Sequence, residues 1–127
     1  MEIFSNVNWL AVSVGTIVSF LVGWAWFSPM LFGKGWAEGS RVELGTADQM
    51  PIFAMASQLI ALFLLALIIG LTALSDDIVT AVLAILAVAV FSASNGAFVQ
   101  KSKYATAIDF FYIIAVGAAM IACQGLL

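Results

Sequence analysis

The sequence predicts an all-α integral membrane protein: a four-helix bundle, antiparallel and up-down, with a short interfacial segment between its first two helices. Three observations predict it. Of the 127 residues, 65% are hydrophobic and 9% charged, where an ordinary soluble domain carries roughly a quarter charged residues. A water-soluble fold of this size cannot hide so much apolar surface. Four stretches, residues 7–28, 51–74, 78–99 and 104–124, match the roughly twenty apolar residues that a hydrocarbon layer of about 30 Å demands of a helix. Together they contain one charge, Asp109. The connections between them hold all the lysines and arginines, and the whole chain reads as one transmembrane domain.

The first span opens at "NWLAVSV" and closes at "GWAWFSP". Residues 1–8 hold Glu2 and no Lys or Arg, whereas a cleaved leader begins with a basic region, so the span is expected to be retained. Trp9 and Trp26 lie about 26 Å apart along a helix, which suits an aromatic anchor at each interface, and Trp24 thickens the second ring. Pro29 cannot continue the helix without losing a hydrogen bond. The following "MLFGKGW" is expected to lie along the headgroups, with Met30, Leu31, Phe32 and Trp36 dipping inward and Lys34 reaching phosphates. A ligand cage of Trp24, Trp26 and Trp36 is the alternative.

The second span carries one strong polar group, Gln58. "SDD", Ser75 to Asp77, turns the chain into the third span, where Asp76 and Asp77 suit the helix cap and first turn. "QKSK", Gln100 to Lys103, leads into the fourth span. Lys34, Arg41, Lys101 and Lys103 all fall on the first and third connections, which four spans place on one side. By the positive-inside bias, loops 29–50 and 100–103 are cytoplasmic and both termini face outward.

Two features say how the spans hold together. Ala11, Gly15, Ser19 and Gly23 recur every four residues on one face of the first span, a seam that lets another backbone approach closely, either within the monomer or across a dimer. A turn as short as 100–103 makes the last two spans neighbours, so Asn95 and Asp109 fall at similar depth, as do Ser92 and Tyr112. Gln58 falls there too. The sequence thus permits a polar layer of Gln58, Asn95, Asp109 and Tyr112, with Ser92 and Ser94 nearby. A carboxylate in hydrocarbon must find partners or shift its pKa. Asp109 either locks the bundle, through Asn95, Tyr112, Lys101 or Lys103, or binds a proton or cation.

Several classes of function lose support. The charge of −3 comes from small, scattered counts and leaves no nucleic-acid footprint. Histidine is absent, and Cys123 stands alone, so no intrachain disulfide can form. No metal-ligand spacing, phosphate-cradling glycine loop or nucleophile elbow occurs, and no cofactor is implied.

From Asn8 to Trp36 the chain resembles the bacterial membrane family catalogued as domain of unknown function 1761. The resemblance rests on Asn8, Trp9, Gly23, Trp26, Phe27, Ser28, Pro29, Phe32, Gly33, Lys34 and Trp36, and on the last span, "AIDFFYIIAVGAAMIA". A tyrosine is usual in that family where Phe27 stands, and the third span lacks its aromatic-rich pattern. The resemblance implies a four-helix inner-membrane protein and transfers no catalytic residue. The expected function is a non-catalytic subunit or self-associating scaffold, partnered by lipid and by itself or another membrane protein. The alternatives are a small proton- or cation-coupled transporter using Asp109 and a four-helix membrane enzyme.

Overall fold

The computed structural model describes residues 2–41 and 52–127, and every described element is helical: α1 (Glu2–Ser5), α2 (Trp9–Trp26), α3 (Gly33–Ser40), α4 (Ile52–Ala73), α5 (Ile78–Phe98) and α6 (Lys103–Leu126). The expected second-span start at Pro51, and the part of the first connection from 42 to 50, lie outside the described residues. Four helices, α2, α4, α5 and α6, are long and apolar enough to cross a membrane. They sit within a residue or two of the expected spans, and α1 is one additional turn before the first.

The long helices start and stop for local reasons. Asn8 caps α2 by accepting from the Ala11 N–H at 3.1 Å, which satisfies one of the first-turn donors left without an intrahelical partner. At the other end Pro29 stops the helix. The Phe32 N–H then reaches back to the Trp26 carbonyl at 3.1 Å, and the Gly33 N–H to the Ser28 carbonyl at 2.8 Å, so the chain reverses tightly into α3. The α4–α5 and α5–α6 turns share one design. In each, a residue with left-handed backbone ends the helix, Asp76 (φ 53°) or Gln100 (φ 62°), and the next N–H closes on a carbonyl five residues back: Asp77 on Thr72 at 3.0 Å, Lys101 on Gly96 at 2.9 Å. A side-chain cap then starts the following helix, Asp77 for α5 and Ser102 for α6.

The Asp77 cap is sensitive to pH. Its carboxylate accepts from the Thr80 hydroxyl at 2.6 Å and the Thr80 N–H at 3.0 Å, and those bonds hold its pKa below the ordinary aspartate value. A group whose pKa is lower folded than unfolded stabilises the fold above the unfolded value, and that contribution disappears as pH falls through the folded one. Asp77→Ala is therefore expected to lower Tm at neutral pH, with the gap to the native chain closing under acid. An undiminished gap at low pH would show that the cap does not act through its charge.

Helix α6 is the hub and packs against α2, α3, α4 and α5. The core includes Val12, Leu65, Ala66, Ile69, Ile85, Tyr112, Val116 and Met120. Much of it lies toward the end of the bundle that carries the termini and the Ser75–Asp77 turn, here the terminal end. At the opposite, loop end, the first turns of α4 stand apart: Ile52 is 84% and Phe53 86% exposed. Within each long helix at most 28% of the most apolar window is buried inside the protein. Side chains such as Leu10, Ile17, Ile60, Leu83 and Phe91 face outward instead. Water would charge roughly 25 cal/mol for each Å² of that apolar surface, and lipid does not, so the chain is a membrane protein.

Candidate functional site

Chemistry gathers at the loop end, where α3 folds back over α6. Gly33 lets the chain turn back tightly against the Phe27–Ser28 backbone, and Gly35 and Gly39 let the helix lie flat on α6. A β-carbon at Gly35 would run into the Tyr104 ring, and one at Gly39 into the Ser102 hydroxyl and the Ala105 methyl. The Gly39 carbonyl accepts from the Ser102 N–H at 2.9 Å, joining α3 to the cap residue of α6. Arg41, in left-handed backbone (φ 59°), ends α3. Its guanidinium donates to the Val99 carbonyl at the end of α5, where a cation also suits the negative pole of that helix. The segment is thus a clasp fastened to α5 and α6.

Between those fastenings the Trp36 indole N–H donates to Asp109 Oδ1 at 2.8 Å. Lys101, in the α5–α6 turn, pairs with Asp109 Oδ2 at 2.9 Å. The Lys101 ammonium also sits 5.4 Å from the Trp36 ring centre, within cation–π range. Both carboxylate oxygens are therefore engaged by charged or N–H donors, the arrangement that a carboxylate needs at the edge of hydrocarbon. The pair is sheltered but not sealed, with side chains 23% exposed for Lys101 and 14% for Asp109.

One turn deeper on α6, the Tyr112 hydroxyl donates to the Ser19 carbonyl at 3.1 Å and accepts from Gln58 Nε2 at 3.3 Å. Tyr112 thereby ties α2 to α4 through α6. Its ring meets Phe27 edge-on at 5.2 Å and tilts against Trp26 at 6.3 Å, and Phe27 in turn meets Trp36 at 5.1 Å. The Trp26 indole donates to the Ile108 carbonyl at 3.2 Å.

Beside these groups lies a cavity of about 800 Å³ among α2, α4, α5 and α6. Gln58, Ser92, Asp109, Tyr112 and Trp36 border it toward the loop end, and Phe20, Leu65, Ile68, Val88 and Val116 line its deeper part. Among the described residues, no three His, Cys, Asp or Glu side chains gather as a metal site would require.

A family model described as "Protein of unknown function (DUF1761)" matches residues 10–125. The chain belongs to this family. No curated protein and no solved structure matches it. The match takes in all four spans and the clasp of this DUF1761 member, including both sides of the Trp36–Asp109 contact.

The residues singled out in the sequence fall as follows in this DUF1761 protein. Gln58 and Tyr112 are bonded to each other, and Asp109 lies beside them on the same cavity wall. Asn95 joins none of these bonds. It is exposed on α5 and borders a shallow groove with Phe91 and Val99, so Asp109 takes Lys101, not Asn95, as its partner. The four seam residues are buried or half-buried, with Gly15 against Met120 of α6, Ser19 fully buried and Gly23 against the Tyr112 ring. The seam therefore packs inside the monomer. Trp9 and Trp24 are about half exposed and Lys34 is exposed. Trp26 and Trp36 are half-buried, and their indoles donate to the Ile108 carbonyl and to Asp109 of α6. The segment after Pro29 is likewise more than a headgroup strip, because Gly33–Ser40 forms a helix seated on the bundle, while Met30 and Leu31 point away from it. Tyr112's bond to the Ser19 carbonyl was missed. The available signal was the shared helical depth of Ser19, Gly23 and Tyr112, which sequence alone cannot turn into a facing pair.

Proposed function

We propose that this DUF1761 member is a non-catalytic, multi-pass subunit or self-associating scaffold of the bacterial inner membrane, with its loop end in the cytoplasm and both termini outside. The state of Asp109 supports this reading over a transporting or catalytic one. It is the one acid within the four described spans, and Lys101 and Trp36 occupy both its oxygens. Their bonds fasten a helix, and a proton or cation carrier would have to break them in every cycle. The orientation is supported by Lys34, Arg41, Lys101 and Lys103, which all lie at the loop end.

Extraction from native membrane in polymer-bounded lipid discs, followed by mass determination, is expected to give particles that hold more than one polypeptide. Particles with a single copy of this chain and nothing else would overturn the scaffold reading. Reconstituted vesicles loaded with a pH-sensitive dye should show no solute-dependent proton flux; a flux that vanishes in Asp109→Asn would establish the transporter instead.

Orientation has its own test. With Cys123 replaced by serine, Glu38→Cys should be protected from a membrane-impermeant thiol reagent in intact cells, while Ser5→Cys and Leu127→Cys should react. The reverse labelling pattern would invert the topology.

A further inference from the structure

We propose that the cavity among α2, α4, α5 and α6 binds a neutral single-chain amphipath, a monoacylglycerol or long-chain alcohol, with its hydroxyl head at Gln58, Ser92 and Asp109 and its chain running toward Ile68 and Val116. The site is independent of whether the protein works as a scaffold.

The dimensions suit such a molecule. At about 800 Å³ the cavity falls within the roughly 300–1,000 Å³ of preformed small-molecule sites. Its α4 wall runs from Ala54 to Ile68, a length of about 21 Å at about 1.5 Å per residue. The space is therefore long and aligned with the helices. It exists because the first turns of α4 stand off from the bundle: from Ile52 to Ala61 every residue but Met55 is exposed. The contact that spans the gap there is polar, the Gln58–Tyr112 hydrogen bond.

The lining is graded. Along α4 its polar side chain is Gln58, and beyond it come Leu62, Leu65 and Ile68. Along α6 the order from the loop end is Asp109, Tyr112, Ile113 and Val116. A ligand that matches both walls has its hydrogen-bonding head toward the loop end and an uninterrupted apolar chain beyond it.

The same groups select the head. Gln58 uses one amide N–H on Tyr112, which leaves its carbonyl and second N–H for a ligand, and Ser92 adds a hydroxyl. Asp109 has two engaged oxygens, but an ionised carboxylate offers about four acceptor positions. The site is thus rich in acceptors and has some donors, which fits hydroxyl groups that both give and take hydrogen bonds. A carboxylate or phosphate head, which accepts hydrogen bonds and brings a charge, would meet the Asp109 oxygens with no Lys or Arg among the described lining residues to pair with it. A cationic head would compete with Lys101, which already neutralises Asp109 at 2.9 Å.

Trp24 and Trp36 border the cavity and report on its contents. Purified full-length protein in phosphatidylcholine nanodiscs is titrated with 9,10-dibromostearoyl glycerol, whose bromines quench tryptophan. Dibromostearate and a dibromostearoyl phosphatidylcholine serve as comparisons. The glycerol ester is expected to quench saturably and the fatty acid about tenfold more weakly, the cost of losing a hydrogen bond and meeting a like charge. Ala61→Phe, which fills the cavity from α4, should abolish the saturable component. Val88→Phe does the same from α5 and covers the case in which the first variant fails to fold. Ser92→Ala should weaken the ester several-fold and leave the fatty acid unchanged. Quenching that rises without saturation and equally for all three probes would mean bulk lipid chains only, and would overturn the proposal. Saturable quenching that survives both filling variants would place the site elsewhere and overturn it as well.

Discussion

Asp109→Leu is expected to lower the stability of the detergent-solubilised protein by roughly 3 kcal/mol, the lower end of what losing one partner of a buried ion pair costs. The lower end applies because Lys101 is 23% exposed and can swing its ammonium toward the headgroups on a flexible stem. What it cannot recover is the Trp36 bond. The indole N–H at 2.8 Å from Oδ1 would be left facing leucine methyls, and α3 would lose its central attachment to α6. Asp109→Asn should cost less, about 1 kcal/mol, since an amide oxygen still accepts from Trp36 and only the charge pairing is lost. The double replacement Asp109→Leu with Lys101→Met should recover only the part of the loss that comes from the unpaired ammonium, because the Trp36 N–H stays without a partner in both variants. Thermal unfolding followed by Trp emission measures all three. Equal Tm for the native chain and Asp109→Leu would show that the clasp contributes nothing to the fold. A double variant as unstable as Asp109→Leu alone would place the loss on the Trp36 side of the triangle.

The spans were legible because a bilayer imposes a length and a composition that no other environment requires, so Val7 to Ser28 or Ile78 to Val99 could be recognised without any knowledge of packing. The turn into α5 was legible for a related reason: Asp77 is a cap residue standing before a long apolar run, as Ser102 proves to be before α6. The site was legible in height but not in direction. Symmetry about the 100–103 turn pairs Asn95 with Asp109 by depth, yet depth says nothing of which way a helix face points, and Asn95 is exposed. The partner that depth arguments missed altogether is Trp36, seventy-three positions from Asp109. Its helix is only eight residues long and holds three glycines, which read locally as turn formers. Gly33 does serve a local turn, against the Phe27–Ser28 backbone, but Gly35 and Gly39 let α3 reach Tyr104, Ser102 and Ala105, and that role depends on a neighbour that arrives much later in the chain.

Two glycines on one seam, eight residues apart, should respond to substitution with opposite signs. At Gly15 an added β-carbon would meet Met120 Cγ at 3.5 Å, Met120 Cα at 3.7 Å and Cys123 Cβ at 3.9 Å, all ordinary packing distances. Gly15→Ala therefore adds contact, and it removes the roughly 0.5–1 kcal/mol entropic cost of glycine within a helix. It is expected to stabilise. At Gly23 the same methyl would stand 2.7 Å from the Tyr112 hydroxyl and 3.1 Å from its ring carbon. The ring is held by Phe27 on one face and by two hydrogen bonds at its tip, so it cannot yield without giving them up. Gly23→Leu enlarges that clash. Overpacking of about 1–3 kcal/mol joins the loss of two interhelical bonds at about 0.6 kcal/mol each, for an expected loss of about 3 kcal/mol. Because Tyr112 bridges Ser19 on α2 and Gln58 on α4, the damage should spread beyond the seam: α4 loses its polar tether at the loop end. Gly23→Leu with unchanged Tm would mean that α2 presents this face to lipid, and the bundle geometry at the loop end would have to be redrawn around a different partner for Tyr112.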